Sequence, residues 1–126
     1  GLYEFENTNE GYLNAKANLL SPLDSTKVDE SKAAQLYSIY CAICHGNNGD
    51  GQGNLVNREK ILGVPSYNDV GRAITPGSIY HVIYYGRNSM GSYANQLNEE
   101  ERWQVTHYVM KLKSELEGSQ TVKDSI

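Results

Sequence analysis

The chain has 126 residues, enough for one domain with a modest core. Eleven Lys and Arg against fifteen Asp and Glu leave a formal charge of −4, and the basic residues form no block, which argues against a nucleic-acid partner. No apolar run is long enough to cross a bilayer, and the opening GLYEFENTNE has neither a basic start nor an apolar h-region, so an exported form would already have shed its leader.

Residues 1–28 read as an N-terminal extension. They are polar, broken by Gly11 and Pro22, and their apolar residues keep neither a helical nor a strand period. Leu2, Tyr3, Phe5, Tyr12, Leu13, Leu19 and Leu20 are nevertheless more than a free tail needs, so the segment is expected to lie along the domain or against another protein. The domain itself is predicted over 29–117, and 118–126 is expected to be a frayed polar tail.

The first predicted helix starts near Asp29 or Ser31 as cap and sets Ala33, Leu36, Tyr37 and Tyr40 on one face, leading to Cys41. GNNGDGQG, from Gly46 to Gly53, is too rich in Gly and Asn for regular structure and must turn closely. A short helix is expected in NREKIL. The next is well marked: Thr75 caps it, Pro76 takes the first helical position, Ile79, Val82 and Ile83 make the buried stripe, and Gly86 closes it. After RNSMGSYANQL comes the strongest helix, with Asn98 and Glu101 as a capping box and three glutamates in the positive first turn. No strand pattern appears in the sequence. Short helices joined by glycine loops bury little apolar surface, so something else should fill the middle.

Both cysteines of the chain fall in CAICHG, Cys41 to Gly46. Three chemistries use such a pair. A thioredoxin-type redox pair sits between a strand and a helix start, whereas this one follows a helix. A structural zinc site needs four ligands, which Cys41, Cys44 and two of His45, His81 and His107 match in number. However, His45 adjoins Cys44, the finger spacing of paired histidines is missing, and the glycine loop and Met90 are left without a purpose. Cys-x-x-Cys-His is the attachment signature for covalent haem: both thiols become thioethers, His45 becomes the proximal iron ligand, and the porphyrin supplies the missing core.

The sixth iron ligand has four candidates. Met110 and His107 lie inside the last helix on a packing face, and His81 sits beside the Ile79–Val82–Ile83 stripe, where it can simply be solvated. Met90 lies in a polar loop, four positions beyond Gly86, with little core reason to be there. A thioether favours ferrous iron and raises the potential, and a filled sixth site excludes small oxidants. That pattern points to electron transfer. Arg58, Lys60, Arg72 and Arg87 are candidate partners of the propionates, and Tyr67, Tyr93 and Trp103 candidate hydrogen-bond donors to them.

DESKAAQLYSIYCAICHGNNGDGQG, GSIYHVIYYGRNSMGSY and NEEERWQVTHYVMKL together resemble the class I c-type cytochromes over about residues 29 to 116. The resemblance implies an all-α class I cytochrome c fold, with three to five short helices and long loops wrapped around one covalent haem c. It implies that Ala33 and Tyr37 on the first helix cross Tyr108 on the last, and that the loop at Pro65 offers a carbonyl to the N–H of His45. Gly91 stands where many relatives have proline, implying a more mobile methionine loop. VNREKILGVPSY, IYHVIYYGRNSMGSY and GYLNAKANLLSPL look more closely like the monohaem cytochrome c subunit of alternative complex III, a bacterial quinol-oxidising membrane complex. That likeness implies redox partner proteins (subunits of the quinol-oxidising complex, an oxidase or another cytochrome) and a place on the periplasmic side of the cytoplasmic membrane. It also implies a lipid anchor preceding Gly1 and an extension lying on neighbouring subunits. Two other readings stay open from the residues: a free periplasmic cytochrome or haem domain of an oxidoreductase acting on a small substrate, and a zinc-stapled module.

Overall fold

The computed structural model describes residues 3–46, 48–53, 66–69, 73–87 and 90–124. The helix expected in NREKIL lies outside them. Among the described residues are four helices of ten residues or more, α1 (Asn9–Asn18), α2 (Glu30–Tyr40), α4 (Pro76–Tyr85) and α5 (Glu99–Asp124), with a single-turn helix α3 (Ala42–His45) directly after α2. They contain no β-strand, consistent with the all-α class I cytochrome c fold.

The predicted caps explain where the helices begin. The Asp29 carboxylate accepts from the Lys32 N–H at 3.0 Å and starts α2. Thr75 and Ser78 bond reciprocally at the start of α4, with Pro76 at the first helical position. Asn98 and Glu101 do the same for α5: the Glu101 N–H donates to Asn98 Oδ1 at 2.8 Å and the Asn98 N–H to Glu101 Oε1 at 2.9 Å. Gly86, at φ 82°, ends α4 in the left-handed region that glycine tolerates.

The core lies where α2, α4 and α5 meet, and is built from Tyr37, Cys41, Ile79, Ile83, Leu97, Val105, Val109 and Leu112. α2 crosses α5 as expected, with Ala33 and Tyr37 buried and the Tyr37 and Tyr108 rings 5.1 Å apart. Gln104 on α5 fastens this crossing. Its buried amide accepts from the Asp29 N–H at 2.9 Å and donates to the Lys27 carbonyl at 3.1 Å, so neither end is left unpaired.

Two segments differ from expectation. The extension carries a helix, α1, capped by Thr8, that packs on α4. Its buried face is Gly11 and Ala15, which leave no apolar stripe to read but allow close approach. A Cβ built on Gly77 of α4 would lie 2.0 Å from the Ala15 carbonyl oxygen. The segment is fastened further where Thr75 Oγ1 donates to the Lys16 carbonyl at 2.8 Å and Tyr85 Oη to the Phe5 carbonyl at 2.7 Å. The second difference is the tail: α5 continues through Gly118 to Asp124, because backbone hydrogen bonding within a helix persists through one glycine at a cost of about 1 kcal/mol.

Candidate functional site

α2 delivers the chain to the cysteine pair. The Cys41 N–H still bonds to the Tyr37 carbonyl at 2.8 Å, and one further turn, α3, carries Cys44 and His45. Cys41 is 6% exposed and belongs to the core, while the side chain of Cys44 is outside what the structure describes. Gly46, at φ 81°, reverses the chain, and the glycine loop folds back so that the Gly51 N–H meets the His45 carbonyl at 2.9 Å.

His45 is half-buried, and its Nδ1 is buried without a hydrogen-bond partner among the described residues. Burial holds the imidazole pKa below its usual value, so the ring is neutral at ordinary pH. A neutral imidazole with a free lone pair is the form that ligates a metal. Pro65, whose loop was expected to meet the ring N–H, lies outside the described residues, as do Arg58, Lys60 and Arg72.

Two tyrosines frame the histidine. The Tyr67 ring stacks on His45, centroids 5.1 Å apart and planes 22° apart, and its N–H bonds to the Gly49 carbonyl at 2.9 Å. Tyr37, buried on α2, donates its hydroxyl to the Gly46 carbonyl at 2.8 Å. Burial pushes the Tyr37 phenol well above its usual range, partly offset by its hydrogen bond with Tyr67. The sequence names these residues, but the hydroxyl tie to the turn after His45 is not legible in it; a tyrosine at a helix-crossing position that phenylalanine would fill is the available signal.

Met90 is half-buried and packs against the cluster that contains Cys41, as Tyr40, Tyr67 and Tyr93 also do. Its backbone is fixed by a reciprocal pair of bonds: the Arg87 N–H donates to the Met90 carbonyl and the Met90 N–H to the Arg87 carbonyl, each at 2.9 Å. Just beyond it, the Tyr93 N–H bonds to the Ile83 carbonyl at 2.9 Å and the Tyr93 hydroxyl to the Tyr40 carbonyl at 2.9 Å. Ser92 Oγ donates to the Tyr84 carbonyl. These ties hold the backbone on either side of Gly91.

The other candidates are engaged elsewhere. His81 is not solvated: it is 4% exposed, and its Nδ1 is 2.8 Å from the Tyr3 hydroxyl of the extension. His107 Nε2 is 2.8 Å from Ser21 Oγ. Met110 packs against the core cluster from α5. Arg87 is exposed, its guanidinium 3.9 Å above the Tyr12 ring, and Trp103 stacks on Tyr80 at 4.2 Å. Among the described residues no group of three or more His, Cys, Asp or Glu side chains gathers to hold a metal by itself. The buried thiol and the thioether on one apolar cluster, with a neutral imidazole whose Nδ1 has no partner among the described residues, fit a covalent c-type haem, which takes soft and neutral donors.

A family model described as "Cytochrome C oxidase, cbb3-type, subunit III" matches residues 29–109. The chain is 32% identical over 82 residues to cytochrome c6 of Parathermosynechococcus lividus, covering 65% of this chain and 88% of that protein. Cytochrome c6 of Synechococcus elongatus matches to the same extent. A cytochrome c6-like protein from Nostoc sp. is 30% identical over 77 residues, 61% of this chain, which spans 65% of that relative's length. Among solved structures, a chain of a Kuenenia stuttgartiensis reducing HAO-like protein complex superposes with a TM-score of 0.61 at 27% identity, over 75% of this chain and 48% of that one. The chain thus belongs to the family of the cbb3-type oxidase subunit III domain: it is a class I c-type cytochrome, from a family of haem-based electron carriers with one covalent haem per domain.

Proposed function

We propose that this chain is a one-electron carrier whose haem is joined through Cys41 and Cys44 and ligated by His45 and Met90. The observation that carries the reading is a neutral His45 in the same turn of chain as the cysteines, its buried Nδ1 without a partner among the described residues. The haem supplies the interconversion of ferric and ferrous iron, one electron in and one out with no bond to substrate made or broken. His45 presents a neutral imidazole, and the Arg87–Met90 bridge holds Met90 in place beside the Cys41 cluster. Engagement of His81 and His107 by the extension supports Met90 as the sixth ligand. Tyr67 and Tyr93 border the site, while Arg87 stands outside it on Tyr12.

The partners in this reading are redox proteins, with electrons derived from quinol passing to an oxidase or another cytochrome. The protein acts on the periplasmic side of a bacterial membrane, held there by a lipid anchor or by a complex. No described helix is long and apolar enough to cross a membrane. Oxidised and reduced absorption spectra, with the intact mass of native protein, test the proposal. The mass should exceed that of the polypeptide by one haem, and the ferric form should show the weak long-wavelength band of methionine ligation. Met90→Ala should abolish that band and open the iron to carbon monoxide. A wild-type protein that binds carbon monoxide at once would count against Met90 as ligand.

A further inference from the structure

The proximal side of the site contains a device that the axial-ligand reading does not use. Tyr67 stacks on His45 at 5.1 Å with the planes 22° apart, close to parallel. The ring is seated from behind by the glycine loop: a Cβ built on Gly49 would lie 2.2 Å from Tyr67 Cδ2, and Gly49 has φ 75°, so the loop closes on the ring only because that residue is glycine. Its backbone is clamped to the same residue through the bond from the Tyr67 N–H to the Gly49 carbonyl. The Tyr37 ring meets Tyr67 edge-on at 6.4 Å, and the Tyr37 hydroxyl ties α2 to the Gly46 carbonyl, the residue after the histidine. Loop, helix and turn therefore all constrain one aromatic plane, and that plane lies against the imidazole.

We infer that Tyr67 is a positioning residue that sets the rotation of the His45 ring about its bond to iron and shields that face from water. The inference rests on the proposed role of His45 as ligand. The orientation of an imidazole plane governs how its orbitals mix with those of iron, and exclusion of solvent from a ligand's flank disfavours the more highly charged ferric state. The ring, rather than the hydroxyl, makes the stack, so phenylalanine should substitute for it.

Tyr67→Leu, Tyr67→Phe and, as a packing control, Tyr108→Leu are made as holoproteins, and haem attachment is verified in each by mass and by the alkaline pyridine spectrum. A wild type without covalent haem would remove the ligand reading itself, and this inference with it. With haem in place, Tyr67→Leu should alter the anisotropy of the ferric electron paramagnetic resonance spectrum and lower the reduction potential. Tyr67→Phe should match wild type in both, and Tyr108→Leu should lose thermal stability without changing the spectrum. An unchanged spectrum and potential in Tyr67→Leu, or equal changes in Tyr67→Phe, would overturn the inference and leave the ligand assignment standing. If Tyr67→Leu fails to mature, ferrous wild-type protein decides: nuclear Overhauser contacts between the Tyr67 and His45 ring protons are expected, and their absence overturns it.

Discussion

At the residue scale, Tyr37 joins structure to function. It fills the α2–α5 crossing against Tyr108, and its hydroxyl ends on the Gly46 carbonyl in a buried environment. Tyr37→Phe keeps the packing but removes one of two donors to the Gly46 carbonyl, which still accepts from the Gly49 N–H at 3.1 Å. The expected loss is about 0.5–1.5 kcal/mol, the net worth of one hydrogen bond, read from denaturant unfolding of the holoprotein. Asn98→Ala should cost about 1 kcal/mol, because it removes one half of the capping box of α5 while Trp103, Val105 and Val109 still pack. No measurable loss in Tyr37→Phe would remove the hydroxyl tie to Gly46.

At the element scale, α1 is part of the domain. Gly77 makes the α1–α4 crossing possible, and Gly77→Ala drives a methyl group into the Ala15 carbonyl. Overpacking of this kind costs about 1–3 kcal/mol, more than the roughly 1 kcal/mol gained in helix propensity. Faster amide exchange across Asn9–Asn18, with α5 unaffected, is the expected signature. The same segment should respond to acid. Burial, aided at His81 by Arg87, lowers the pKa of His81, and burial lowers that of His107, so both are neutral when they bond to Tyr3 and Ser21. The aromatic groups facing His81 are Tyr3, Tyr12 and Tyr85, while Glu30 and Lys111 share a cleft with His107. The unfolded chain protonates near the ordinary histidine value of about 6.5 and the folded chain only below it. Their contribution is therefore complete above about pH 6.5 and is lost as pH falls from there through the folded values. Exchange of the extension's amides should accelerate below about pH 6, after correction for intrinsic rates, and Tyr3→Phe should blunt the response. An extension indifferent to pH would remove the histidine clasp.

The contrast between α1 and the other helices shows what the sequence can reveal. α2, α4 and α5 announce themselves through side chains that act locally: the Asp29 cap, Thr75 with Pro76, and Asn98 with Glu101. α1 buries only Gly11 and Ala15, and small residues that allow helices to approach closely leave no apolar period behind. The attachment motif stands out in the sequence because chemistry fixes its spacing, and Met90 because a lone methionine lies in a polar loop. The Tyr67 stack and the Tyr3–His81 bond depend on where distant segments meet, the latter across 78 positions, which spacing does not encode.

At the scale of the whole molecule, the packing divides into two regions. On one side α4 meets the start of the extension and α5 through Tyr3, Tyr80, Tyr84 and Trp103, an aromatic group whose members contact one another directly. On the other, α2, α3, the glycine loop and the Met90 turn converge on Cys41 and His45, with Tyr40, Tyr67, Met90 and Tyr93 only partly buried around the cluster. In the proposed attachment the second region is the one that closes upon the haem, so removing the attachment should affect the two unequally. A chain with Cys41→Ala and Cys44→Ala loses the group on which α3 and both loops fold, together with any ligand bonds that hold them. It should keep part of its far-UV helix signal and some near-UV signal from Trp103 stacked on Tyr80, but lose a sharp thermal transition, since the packing that the haem would complete around Cys41 is gone. Hydrogen exchange should then protect α4 and α5 while α2 and α3 exchange freely. Equal protection of all four, or a full-height cooperative transition in the haem-free chain, would mean that the polypeptide builds its interior unaided.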